Sequence, residues 1–87
     1  MVRVVLSPAL VALFPGAVVR LEVEANTVDA MIDALDLKWP GMADRMRDSS
    51  PAVRRHINIF AGGQRASLAT PLTAGCDVFV LTAVSGG

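Results

Sequence analysis

The sequence predicts an α+β domain: a mixed sheet of four or five strands with one main helix packed on one face. Three observations carry this. Residues 2–6 and 17–24 alternate with period two, as half-buried strands do. Residues 28–35 place apolar side chains at helical spacing, and residues 54–61 and 77–83 return to strand-like alternation. Two strands, a helix and then further strands imply a layered domain with the helix as crossover.

Composition narrows what such a domain does. The chain has 87 residues, 53% of them apolar and 18% charged. That length fits one domain, and that balance excludes intrinsic disorder. Eight basic residues against eight acidic ones give zero net charge, which leaves no basic footprint for nucleic acid. No apolar run approaches the ~20 residues of a membrane span. The single cysteine, Cys76, cannot close an intramolecular disulfide, which suits a reducing compartment, the cytoplasm. With one histidine, His56, one lysine, Lys38, and no tyrosine, the chain lacks parts for a self-contained catalytic constellation. It is expected to be a binding or carrier module that holds no metal or cofactor of its own.

In the first strand Val2, Val4 and Leu6 share one face. Ser7-Pro8 and Pro15-Gly16 then mark residues 7–16 as a connection, with buried contacts expected from Leu10, Leu13 and Phe14. In residues 17–24 Val19, Leu21 and Val23 oppose Arg20, Glu22 and Glu24, so the first two strands form a hairpin with a long loop.

Thr27 suits a helix N-cap, and Asp29 in the first turn suits the helix dipole. Val28, Met31, Ile32 and Leu35 form one stripe, with Asp29, Asp33 and Asp36 away from it. Trp39-Pro40 ends the helix, and residues 41–47 fit a short second one. In 54–61 Ile57, Ile59 and Ala61 oppose His56, Asn58 and Phe60. Gly62-Gly63 is a turn, Arg65 to Leu68 pair briefly, and the last strand runs from Asp77 to Ala83. The final strand is expected beside the first in parallel. One helix on such a sheet is the β-grasp, or ubiquitin-like, arrangement, although other small α+β folds share this element order. The domain is assigned to residues 1–83, followed by a flexible tail, 84–87.

That tail, Val84-Ser85-Gly86-Gly87, carries the chemistry. Terminal glycine is common in loose chain ends. Glycine also lets a thin tail enter a narrow tunnel and lets a foreign active site approach its carbonyl. Four extended residues reach about 13 Å.

The sequence resembles the ThiS/MoaD family of ubiquitin-like sulfur carriers. The resemblance runs over nearly the whole chain. It is strongest in Leu68-Ala-Thr-Pro-Leu-Thr-Ala-Gly75 and Val78-Phe-Val-Leu-Thr-Ala-Val-Ser-Gly-Gly87. Asn26-Thr-Val28 and Ile57-Asn-Ile-Phe60 belong to it too. Ser49-Ser-Pro51 and Arg55-His-Ile-Asn-Ile-Phe60 look most like the CysO-like branch, which serves cysteine biosynthesis. The tail also matches small subunits of molybdopterin synthase. The chain departs from the family in Gly75-Cys76-Asp77, where the acid comes one place late, and in Thr82, where proline is frequent.

The resemblance implies that an E1-like enzyme, using ATP and Mg²⁺, adenylates the Gly87 carboxylate. A sulfur donor then displaces AMP, and the resulting thiocarboxylate delivers sulfur to an acceptor enzyme. That acceptor is cysteine synthase-like or the molybdopterin synthase large subunit, with thiamine synthesis a further destination. A non-covalent ubiquitin-like interaction module is the alternative from another class. On this reading the chain is a carried substrate, and Gly86, Ser85 and Val84 present the reactive end.

Strand parity supplies a docking face. If Val78 and Val80 face the helix, then Phe79 and Leu81 face outward, joined by Phe60 and by Val5, with Arg54 and Arg65 as charged rim. The remaining candidates have plain structural readings. Cys76 lacks an adjacent cation in sequence and fits a packed small hydrophobe. His56 fits a surface strand position. The three aspartates fit a solvated helix face, and Met31, Met42 and Met46 fit core filler. Residues 22–36 carry five acids and no Lys or Arg, whereas 45–65 carry five arginines and one aspartate. An acidic helix side and a basic region near the third strand follow, an asymmetry suited to electrostatic steering.

Overall fold

The computed structural model describes residues 1–83. The elements run β1 (Val2–Leu6), α1 (Pro8–Val11), β2 (Arg20–Val23), α2 (Val28–Lys38), α3 (Met42–Met46), β3 (Ile57–Ala61), β4 (Gln64–Arg65) and β5 (Asp77–Thr82). They build one five-stranded sheet in the order β2-β1-β5-β3-β4. β1 and β2 pair antiparallel, β1 and β5 parallel, and β3 pairs antiparallel with both β5 and β4. This is the β-grasp arrangement, with the first and last strands adjacent at the centre.

The alternation of β1 and β5 decides which face is covered. Val2, Val4, Leu6, Val78 and Val80 are all buried, as are Ile57 and Ile59 of β3. α2 lies over them with Val28, Met31, Ile32 and Leu35, the stripe its spacing predicts, each fully buried. Full burial of each aliphatic side chain is worth about 1.5–3 kcal/mol. Met42 and Met46 of α3 and Leu10 of α1 close the core at its margins.

Three local devices set the helices. The Thr27 hydroxyl accepts the Ala30 amide at 3.1 Å and caps α2. Asp36 accepts the Gly41 and Ala43 amides, each at 3.0 Å, joining the end of α2 to the start of α3. Gly41 has φ +98°, and a Cβ there would lie 3.4 Å from the Phe14 ring, so the bend between the helices calls for glycine.

Several boundaries differ from the sequence expectation. Residues 7–16 hold a helical turn: Ser7 accepts the Ala9 amide at 3.3 Å and Pro8 occupies the first helical position. Proline there is favourable, because its missing N–H is one that a helix start leaves unpaired. Leu10 is buried as expected and Phe14 packs against the core, but Leu13 is 52% exposed, because the turn points it outward. The second strand is Arg20–Val23, shorter than 17–24. The third begins at Ile57, because Arg54 and Arg55 lie in the preceding loop, where the Arg54 carbonyl accepts the Ile57 amide at 2.9 Å. β4 is Gln64–Arg65, set by the tight Gly62-Gly63 turn, and does not extend to Leu68.

Candidate functional site

The sheet face opposite α2 is open, and its central row crosses all five strands. From one edge to the other, Arg20 is opposite Val5, Val5 opposite Phe79, Phe79 opposite Phe60, and Phe60 opposite Arg65. Cross-strand partners share a face, so these five side chains form one band, apolar in the middle and cationic at both ends. Leu81, two residues on from Phe79, extends the apolar part beside Asn58. Phe79 and Leu81 are each 43% exposed, while their neighbours Val78 and Val80 are fully buried. Phe79 and Leu81 thus put exposed apolar area on a central strand.

One border of this band is charged. Arg3 is opposite both Glu22 and Asp77 in the sheet, and its Nε donates to Asp77 at 2.6 Å. That hydrogen bond and the guanidinium charge hold the Asp77 carboxyl below its ordinary range and raise Arg3. The other border is the end of β5. There the Ser7 and Thr82 hydroxyls lie 2.9 Å apart, and the Ala83 amide donates to the His56 carbonyl at 2.7 Å. The chain is therefore pinned to the sheet as far as Ala83. Val84, Ser85, Gly86 and Gly87, the expected reactive tail, lie outside the described residues.

Of the predicted docking residues, Phe60, Phe79, Leu81 and Arg65 share this region, together with Val5. Arg54 does not. It sits in the loop before β3, where its Nε donates to the Asp44 carbonyl. Arg20 was missed: its place opposite Val5 depends on a hairpin register that the long 7–19 loop conceals. Its signal was the alternation of Arg20 and Glu22 with Leu21 and Val23.

The other candidates resolve structurally. Asp29 and Asp33 each bind Arg47 at 2.6 Å, so the helix acids are tied to the basic segment. Cys76 is half-buried at the core margin, and His56 is exposed. Among the described residues no three His, Cys, Asp or Glu side chains converge to hold a metal ion, and no helix is long and apolar enough to cross a membrane.

No protein-family model and no curated protein matches the chain. Solved structures do match. Mycobacterium tuberculosis CysO aligns with 97% of this chain and 100% of its own, at 26% identity and a TM-score of 0.82. SAMP1 from Haloferax volcanii aligns with 99% of this chain and 98% of its own, at 28% identity and a TM-score of 0.76. The BexX/CysO complex of Amycolatopsis orientalis aligns over 100% of both chains at 23% identity and a TM-score of 0.86, which bears on the fold. The resemblance carried by the sequence motifs thus extends to three dimensions: the chain has the ubiquitin-like β-grasp fold of the ThiS/MoaD-like sulfur-carrier proteins, with CysO and SAMP1 among its structural neighbours.

Proposed function

We propose that the chain is a cytoplasmic sulfur carrier that works through its Gly87 carboxylate. The observation that carries this reading is the end-to-end structural likeness to CysO and SAMP1, joined to a Gly86-Gly87 sequence separated by three residues from the central strand. In the proposed cycle an E1-like enzyme uses ATP and Mg²⁺ to form the Gly87 acyl-adenylate, releasing pyrophosphate. Sulfide attacks the acyl carbon, AMP leaves with the electron pair of the broken C–O bond, the sulfur loses its proton, and a thiocarboxylate remains. This chain contributes tail presentation and the Val5–Phe79–Phe60 band as docking surface, and the partners contribute the catalysts. Cysteine biosynthesis is the favoured destination of the sulfur, because the Ser49-Ser-Pro51 and Arg55–Phe60 segments look most like the CysO-like branch.

The test is incubation with a cognate E1-like enzyme, ATP, Mg²⁺ and a sulfur source, followed by intact mass measurement. Exchange of one oxygen for sulfur, abolished by deleting Gly87, is the expected result. An unchanged mass under conditions that convert a known carrier overturns the reading.

A second reading, protein modification, draws on SAMP1, described as a small archaeal modifier protein. There a lysine amine of a target captures the same adenylate. The same mass experiment, run in a cell extract, separates the two: an isopeptide-linked conjugate instead of a thiocarboxylate supports the modifier.

A further inference from the structure

A second surface lies at the far edge of the sheet from β2. β4 covers only Phe60 and Ala61 of β3. On the side away from β5, the Ile57–Ile59 half of β3 therefore has no strand beside it; there the Ile57 amide donates to the Arg54 carbonyl at 2.9 Å and the Ile59 carbonyl accepts the Ala66 amide at 2.8 Å. An open cleft of about 420 Å³ runs along this half-edge, between residues 51–55 on one side and 65–69 on the other. Its floor is apolar: half-buried Val53, Ala66 and Leu68 line it together with Ile57 and Ile59, which are buried. Arg54, Arg55 and Arg65 line it, and no carboxylate does.

The walls are already set. The Arg54 amide donates to the Met46 carbonyl at 2.9 Å, and the Leu68 carbonyl accepts the Asp29 amide at 2.9 Å. A cleft held by backbone bonds needs little ordering when it is filled. None of the three arginines is within ion-pair distance of a carboxylate among the described residues, whereas Arg3 and Arg47 both are.

We propose that this cleft receives an acidic, extended segment of a partner protein. One apolar side chain of the segment rests against Val53 and Leu68, and its carboxylates meet Arg54, Arg55 and Arg65. Guanidinium forks match carboxylates in pairs, and a half-edge beyond the end of β4 leaves room for an extended backbone. The apolar floor argues for a peptide over a free anion. Nucleic acid fits less well: the chain has zero net charge, and no aromatic side chain lines the cleft to stack a base. The cleft adjoins the root of the tail, since His56, next to Arg55, accepts the Ala83 amide. The proposal concerns this surface alone and holds whatever the tail carries.

The test is amide chemical-shift mapping of the full chain with three probes: acetyl-Glu-Asp-Leu-Glu-Asp-amide, its Lys-Arg-Leu-Lys-Arg counterpart, and an oligouridylate. Saturable shifts confined to residues 53–59 and 65–69, seen with the acidic peptide only, are the expected result. Combining Arg54→Gln, Arg55→Gln and Arg65→Gln should weaken that binding about tenfold or more, and Phe79→Ala should leave it unchanged. Because Arg54 and Arg65 make internal hydrogen bonds, Arg55→Gln alone serves as the variant that keeps the fold, and it too should weaken binding. Absence of saturable shifts, equal response to the basic peptide, shifts centred on Phe79 and Leu81, or stronger binding of the oligouridylate each overturns the proposal.

Discussion

Phe60 of β3 and Phe79 of β5 stand directly opposite each other across the sheet, on the face that α2 does not cover. The pair is continued by Val5 on β1 and bounded by Arg20 and Arg65. The band is thus fixed by four strand pairings at once. On the proposed reading, an apolar strip with cationic ends would give a partner both a contact area and an orientation.

Phe79→Ala should damage docking far more than folding. The cross-strand aromatic pair is worth about 0.5–1.5 kcal/mol beyond its area, so a melt should show a modest shift. Turnover by the activating enzyme should fall about tenfold or more in kcat/KM, as for a central interface residue. Leu81→Ala should act in the same direction. Leu37→Ala, at an 86% exposed position on the helix side, is the control expected to leave turnover intact. Equal turnover for all three would remove the outer face from docking.

Thr27→Ala should destabilise the domain by about 1 kcal/mol through loss of the α2 cap. In a domain of this size that corresponds to a fall of roughly 4–8 °C in Tm. Thr27→Ser, which keeps the accepting hydroxyl, should restore most of it.

The elements that periodicity predicts well are those whose burial is one-sided and whose ends carry a chemical marker. β1 begins and ends where its alternation does, and α2 lies between its threonine cap and Trp39-Pro40. Parity set Phe79 and Leu81 on the face opposite Val78 and Val80, and the burial of the two valines shows that this face is the outward one. What the sequence concealed was pairing across distance. Arg20 joins the band only through hairpin register. Ser7-Pro8 reads equally as a strand breaker and as a helix start. The cleft beside β3 exists because β4 stops after two residues, which no local signal near Ala66 announces. Arg47 was assigned to a basic region, yet its side chain reaches back to the acids of α2.

Arg47→Ala should lower stability by up to about 1 kcal/mol, because both carboxylates it pairs with are more than half exposed. The loss should shrink at high salt. Arg47→Lys should recover only part of it, since an ammonium cannot serve two carboxylates as a planar guanidinium does. A double-mutant cycle with Asp33→Asn, followed by urea denaturation, measures the coupling.

Acid should loosen the loop after α3. The Ser50 hydroxyl and amide, with the Ala52 amide, bind the Asp48 carboxylate and hold its pKa below the ordinary 3.8. The unfolded chain therefore takes up this proton at higher pH than the folded one. The contribution to stability is complete above the ordinary value and is lost as pH falls through the folded one. Asp77, lowered first by the Arg3 hydrogen bond, acts in the same sense. Carboxyl NMR titration should place both midpoints below 3.8. Asp48→Asn should flatten part of the acid limb of a stability–pH curve.

The parallel pairing of β1 and β5 has a mechanical consequence. β1 leaves the N-terminus at one end of the sheet, and β5 delivers the chain toward Ala83 at the other. Tension between the N-terminus and Ala83 runs along two adjacent strands in opposite directions. It strains their hydrogen bonds together, in shear, instead of peeling them one at a time. A pull on Ala83 against the N-terminus thus acts along the direction in which the sheet is hardest to tear.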